Sequence, residues 1–172
     1  MKKITTKQLV TVAVLAAIYA VLSAVSFGTN NFHVSVQSLA TLVGAALLGP
    51  IPGFLVGFIG EFIHQLIAYG LDPTTILWTL PYALEGLLAG VLCSKAGSLD
   101  LKKFVPIIIV SEIVLTVLIT PVNAISALIQ GWYYPGIILG GLGLRFAITA
   151  VRIVVYIIVL PILYNALKKA VK

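Results

Sequence analysis

The sequence predicts an all-α fold: an integral membrane bundle of six transmembrane helices with both termini on the cytoplasmic side. Three observations carry this. First, 60% of the residues are hydrophobic and only 9% are charged. A soluble domain carries about 25% charged residues, so this chain cannot face water all round. Second, the apolar residues fall in six runs, near 8–27, 36–49, 52–70, 74–94, 104–130 and 140–168. In hydrocarbon the backbone of each run must satisfy its own hydrogen bonds, which a helix does. Third, the chain has 11 Lys and Arg, and apart from Arg145 and Arg152 they sit in three clusters flanking the runs. Residues 1–172 are read as a single transmembrane domain, since this length suits one compact bundle.

The elements follow in order. The first run comes after Lys2, Lys3 and Lys7. A cleavable signal is the competing reading of "MKK" and an oily stretch ending in "SAVS". The oily core is long for a signal, however, and its removal would leave five spans. The second run is short for a full crossing, so it is either tilted or longer than its apolar core. The third, fourth, fifth and sixth are each long enough to span. Breakers separate the runs: "FGTNNFH", "GPIPG", "YGLDPTT", "SKAGSLDLKK" and "GWYYPG". With six crossings, the cluster at Lys2, Lys3 and Lys7, the cluster at Lys95, Lys102 and Lys103, and the cluster at Lys168, Lys169 and Lys172 share one side. The positive-inside rule makes that side cytoplasmic. The outer loops, near 28–35, 70–74 and 131–141, hold no Lys or Arg. Trp132, Tyr133 and Tyr134 there suit a membrane interface or an aromatic lid.

Several function classes fall away. The net charge of +6 is a topology signal beside oily segments rather than a nucleic-acid footprint. The lone Cys93 allows no internal disulfide, and His33 and His64 are too few and too separated for a zinc site. No nucleotide-binding loop, nucleophile elbow, metal cluster or acid–base pair is apparent. The reading is therefore not an enzyme, with no catalytic residues, no cofactor and no metal; any ATP chemistry belongs to other chains.

What remains unusual is polar. Glu61, Glu85, Glu112, Arg145 and Arg152 lie inside predicted helices, where ionisable groups are costly and face cavities or one another. Glu61, His64, Gln65 and Ala68 share a face of the third helix, as do Trp78, Tyr82 and Glu85 on the fourth. Thr116, Thr120, Asn123, Ala127 and Gln130 share one on the fifth, and Arg145 and Arg152 on the sixth. Pointing all four stripes inward builds a pocket that opens outward, with Trp78, Tyr82 and Trp132 as flat surfaces for a ring and the arginines as clamps for an acid group. The competing reading makes Glu61–Arg152 or Glu85–Arg145 structural ion pairs. On the first helix Ala13, Ala16, Ala17, Ala20 and Ala24 form a smooth ridge that another helix can approach closely. Gly53, Gly57, Gly86 and Gly90 have the same small-residue spacing and are assigned to packing within the bundle.

These features resemble the substrate-binding S components of energy-coupling-factor (ECF) transporters over nearly the whole chain. "GPIPGFLVGFIGEFI", "TLPYALEGLLAG" and "RIVVYIIVLP" are similar to segments of the folate-type branch. The first outer loop has His33 where folate binders of that branch have an arginine. The resemblance implies a vitamin or precursor as ligand, with pantothenate, pyridoxine-like rings, hydroxymethylpyrimidine and folate-like molecules all open. It adds Asn31, His33 and Gln37, from the first outer loop, to His64, Trp78, Tyr82, Glu85, Asn123, Trp132, Arg145 and Arg152 as candidate binding residues. It implies docking of the alanine ridge on a transmembrane coupling subunit, two partner ATPases, and residence in lipid as a multi-pass protein of the bacterial cytoplasmic membrane. A stand-alone proton-coupled carrier using Glu61, His64 and Glu85 as a relay is the alternative.

Overall fold

The structure, a computed structural model, describes residues 4–25, 27–29 and 32–171, without the side chains of 27–29, 32–34, 137–139 and 170–171. Its helices are α1 (Thr6–Ala24), α2 (Ser38–Leu48), α3 (Pro50–Tyr69), α4 (Thr75–Ala96), α5 (Leu101–Ile129) and α6 (Pro135–Val171). The helix starts and stops have local causes. Thr5 and Gln8 form a reciprocal capping box at the start of α1, and the Asp100 side chain accepts from Lys103 N at the start of α5. Each satisfies amide groups that the first turn leaves unpaired. Gly49 takes φ 97° between α2 and α3, a conformation that disfavours a side chain. Pro50 then opens α3, where its missing N–H costs nothing. Lys103 Nζ donates to the carbonyls of Ala96 (2.8 Å) and Ser98 (2.9 Å), closing the C-terminal end of α4.

Two differences from the sequence reading stand out. Between α1 and α2 lies an antiparallel two-stranded ribbon, β1 (Phe27–Thr29) and β2 (Phe32–Val34), which pairs Gly28 with His33. The sequence reading had only a loop there, because three-residue strands carry too little periodicity to detect. Second, α2 has 11 residues, or about 16 Å of helix, against a hydrocarbon core of about 30 Å. Five helices are long and apolar enough to cross a membrane, and α2 is not among them.

The short helix holds the centre. Residues Ser38 to Ala45 of α2 are all buried. Around it, α3 lies against α1 and α4, α4 against α5, α5 against α6, and α6 lightly against α1. A helix covered on every side needs no polar face, which explains why "SLATLVGAALL" has no charge. The other five present exposed apolar flanks, among them Val10, Val14, Ile67, Ile76, Val117, Leu128, Val154 and Ile158. Apolar flanks of this kind suit lipid.

The α3–α4 seam is backbone against backbone. A Cβ on Gly53 would stand 2.6 Å from the Gly86 carbonyl oxygen, one on Gly57 would strike the Tyr82 carbonyl, and one on Gly90 would strike Pro50. The four small residues spaced for packing therefore do pack within the bundle. A fifth, Gly60, makes room for the Tyr19 ring, whose atoms lie 2.5 Å from its would-be Cβ.

Candidate functional site

The convergence of polar stripes places Glu61 at the bottom of a cavity of about 720 Å3. The side chain is 1% exposed and is surrounded by donors from three elements. The Tyr19 hydroxyl of α1 donates to Oε2 at 2.8 Å, and Gln37 Nε2, just before α2, donates to the same oxygen at 3.2 Å. Gln65 Nε2, one turn along α3, donates to Oε1 at 2.6 Å. His64 Nδ1 lies 3.3 Å from Oε2. The arrangement offsets the cost of burying a carboxyl group, since both oxygens receive hydrogen bonds from the protein. Gln37 Nε2 also donates to the Tyr19 hydroxyl (3.1 Å), and the Tyr19 ring meets Tyr82 edge-on with centroids 5.8 Å apart.

Above this floor the walls come from one end of the bundle. α1 contributes Ala20, Ser23 and Ala24, α4 contributes Trp78 and Tyr82, and α5 contributes Asn123 and Ser126, with Gln130 just past its end. Trp78 Nε1 donates to Ser126 Oγ at 3.3 Å, joining two walls. At the rim Gln130 Nε2 donates to the Asp72 carboxylate (3.4 Å to each oxygen), and Gln130 Oε1 accepts from Trp132 Nε1 at 2.7 Å. The α3–α4 loop is thereby tied to the segment after α5. Lys95, Lys102 and Lys103 lie at the opposite end, around a second, smaller groove with Leu92 and Pro106. The mouth of the main cavity and this basic cluster therefore sit at opposite ends.

Asp72 lies in a loop outside the apolar spans. Hydrogen bonds from the Thr74 hydroxyl and then the Thr74 amide hold its carboxyl below the usual carboxylate range. A depressed folded-state value contributes stability above the unfolded pKa of about 3.9, which is lost as pH falls through the folded value. The rim tie is thus expected to persist from pH 8 to 5 and to loosen only below about 4. Trp132 emission in a Trp78→Phe protein measures this: a change centred near pH 6 would assign control to another group.

The structure gathers some of the sequence-predicted residues and separates others. Gln37, His64, Trp78, Tyr82, Asn123 and Trp132 all line the cavity. Asn31 lies outside the described residues, as does the side chain of His33. Glu85, Arg145 and Arg152 do not line it. Arg152 is instead committed to Glu112, Nη2 to Oε2 at 2.9 Å, with both side chains almost fully buried. The pairings Glu61–Arg152 and Glu85–Arg145 are replaced by this one among the described residues. Ser38 donates to Glu112 Oε1 (2.9 Å), which leaves Tyr156 OH to donate to Ser38 Oγ (2.9 Å). This deeper polar cluster joins α2, α5 and α6 below the cavity. Glu85, fully buried, sits beside Glu112 and Arg152, and its oxygens accept no hydrogen bond among the described residues.

Sequence reasoning left Tyr19, Ser23, Tyr69, Asp72 and Thr74 out of the site, yet all but Tyr19 line the cavity and Tyr19 holds its floor. Tyr19 did carry a signal, as a hydroxyl-tipped ring inside an alanine-rich helix. The alanine ridge is also divided. Ala13, Ala17 and Ala24 are exposed and Ala20 is half-buried, while Ala16 is 1% exposed against its own bundle. Steps of four residues drift by about 40° around a helix, so Ala16, Ala20 and Ala24 turn from inside to outside along α1. Ala16 is thereby removed from the docking surface.

Comparison with known proteins settles the family. Residues 3–169 match the model of the ECF-type riboflavin transporter S component. The chain belongs to that S component family. Its relatives include UPF0397 proteins of Streptococcus gordonii, 36% identical over 99 residues (54% of this chain, 52% of the relative), and of Lactobacillus gasseri, 28% identical over 134 residues (72% and 71%). The chain spans about half the length of several of the curated relatives it matches, as for the Lactobacillus johnsonii protein, of which 49% is covered. A solved S component of a bacterial ECF transporter shares the fold with a TM-score of 0.67 at 20% identity, covering 96% of this chain and 98% of that one. The family matched is the riboflavin type, whereas the sequence motifs resembled the folate-type branch. An S component is a multi-pass membrane subunit of a transporter and not an enzyme.

Proposed function

We propose that this S component captures a water-soluble vitamin or vitamin precursor from outside the cell, in the bacterial cytoplasmic membrane, for an ATP-driven importer. The observation that carries this is the cavity of about 720 Å3, within the range of about 300–1,000 Å3 usual for small-molecule sites. It opens at the end away from Lys95, Lys102 and Lys103. The positive-inside rule turns that mouth outward and, with α2 and its flanking segments carrying the chain across, puts both termini in the cytoplasm. Riboflavin, named by the family, is one candidate ligand. ATP hydrolysis belongs to two partner ATPases joined through a transmembrane coupling subunit.

Uptake into energised vesicles tests the reading. It is expected to require the co-expressed coupling subunit and ATPases and to survive an uncoupler with ATP held constant. Uptake abolished by the uncoupler would favour a proton-coupled carrier.

The exposed face of α1 is the proposed docking surface, built from Ala13 and Ala17 with Val10, Val14 and Val21 beside them. Ala13→Leu with Ala17→Leu is expected to reduce copurification with the coupling subunit at least tenfold while leaving ligand affinity within about twofold, because close helix approach needs small side chains. Undiminished copurification would move the docking surface elsewhere.

A further inference from the structure

Resting on the proposed function, we infer that the cavity selects a neutral or cationic ligand that offers hydrogen-bond donors on a flat ring, and rejects carboxylates and phosphates. The charge inventory carries this. Among the described residues the cavity is lined by two carboxylates, Glu61 and Asp72, with His64 beside the first and no Lys or Arg. The undescribed side chains between α1 and α2 and at 137–139 include no Lys or Arg. The two arginines of α6 stand elsewhere: Arg152 is held by Glu112 at 2.9 Å, and Arg145 does not line the cavity.

The floor surrounds Glu61 with donors that carry no charge of their own, Tyr19, Gln37 and Gln65. His64 Nδ1 lies 3.3 Å from Glu61 Oε2 at the edge of this floor. An acid group entering this site meets the buried Glu61 carboxyl and no lining Lys or Arg to receive it. A cationic or donor-bearing ring meets the Glu61 carboxyl below and the aromatic residues Tyr69, Trp78, Tyr82 and Trp132 in the lining, a residue type that attracts cations through its ring quadrupole. This narrows the ligands left open by the sequence: pantothenate and folate-like molecules are acids, while pyridoxine-like rings, hydroxymethylpyrimidine and riboflavin are not.

The test uses matched pairs on the purified protein in detergent, by calorimetry: riboflavin and its 5′-phosphate, pyridoxine and its phosphate, thiamine and its monophosphate, panthenol and pantothenate. For whichever scaffold binds, the uncharged or cationic member is expected to bind at least about tenfold tighter than its acid counterpart, the scale of one unscreened charge contact. Glu61→Gln is expected to shrink that ratio at least threefold. A phosphate or carboxylate binding as tightly as its partner overturns the inference and leaves the proposed function standing. Native mass spectrometry of the protein as purified from cells reads the same question without a variant, because a copurified acid overturns the inference and a copurified base or neutral ring supports it. No binding in any pair, no copurified molecule and no partner-dependent uptake together overturn the proposed function, and the inference with it.

Discussion

Arg152→Met is expected to destabilise the protein by about 3–5 kcal/mol, the usual cost of leaving one partner of a buried ion pair uncompensated. Glu112 would then face the bundle interior with the Ser38 hydroxyl as a donor, beside the fully buried Glu85. Water cannot reach it, since Glu112 is fully buried. Glu112→Gln should cost a similar amount by stranding the guanidinium. The double variant should cost clearly less than the sum, because neither charge then lacks its partner. Thermal unfolding in detergent measures all three. Ligand affinity, taken at a temperature where the variants stay folded, is expected to remain within about twofold of the parent because Arg152 does not line the cavity. A large loss of affinity with unchanged melting would instead return Arg152 to the binding site as a clamp.

The second large effect is expected at the α3–α4 seam. Gly86→Ala adds a Cβ that strikes the Gly53 carbonyl and comes within 2.8 Å of the Thr41 side chain on α2. Overpacking a close-fitted interior costs about 1–3 kcal/mol, and here the obstacle is backbone, which cannot rotate away as a side chain can. The α3–α4 pair must part, and α3 carries Glu61, His64 and Gln65 while α4 carries Trp78 and Tyr82. Gly86→Ala is therefore expected to lower both the melting temperature and ligand affinity, the latter by tenfold or more from misplacement of two cavity walls. Gly143→Ala, with nothing within 4 Å of its would-be Cβ on α6, is the control and should be neutral or slightly stabilising. Equal effects at the two positions would show that helix propensity, and not the seam, governs the response.

These two sites also separate what could be read early from what could not. The seam was legible: glycines four apart on neighbouring helices announce close approach whatever the rest of the fold does. The ion pair was not. The sequence pairs Arg152 with a ligand or with Glu61 and offers Glu112 no ion-pair partner. Spacing along one helix says which residues share its face, but not how far that helix is rotated or which neighbour it meets. The same reason explains α1, where an alanine ridge was visible but its division between Ala16 inside and Ala13 and Ala17 outside was not.

The sequence by itself determined that the chain is apolar enough for lipid and that it forms six helices, though α6 begins at Pro135 rather than near 140. Those properties depend on composition and on periods of a few residues, and so they are local. Only the tertiary structure decided that α2 is a short central helix, that Tyr19 and Gln37 converge on Glu61, and that the arginines stand apart from the cavity. Each of these joins residues distant along the chain, such as Tyr19 to Glu61 across 42 positions and Ser38 to Tyr156 across 118. Contacts of that kind are selected by how whole helices pack, because only the assembled bundle fixes which buried charge finds a partner and which is left facing the cavity.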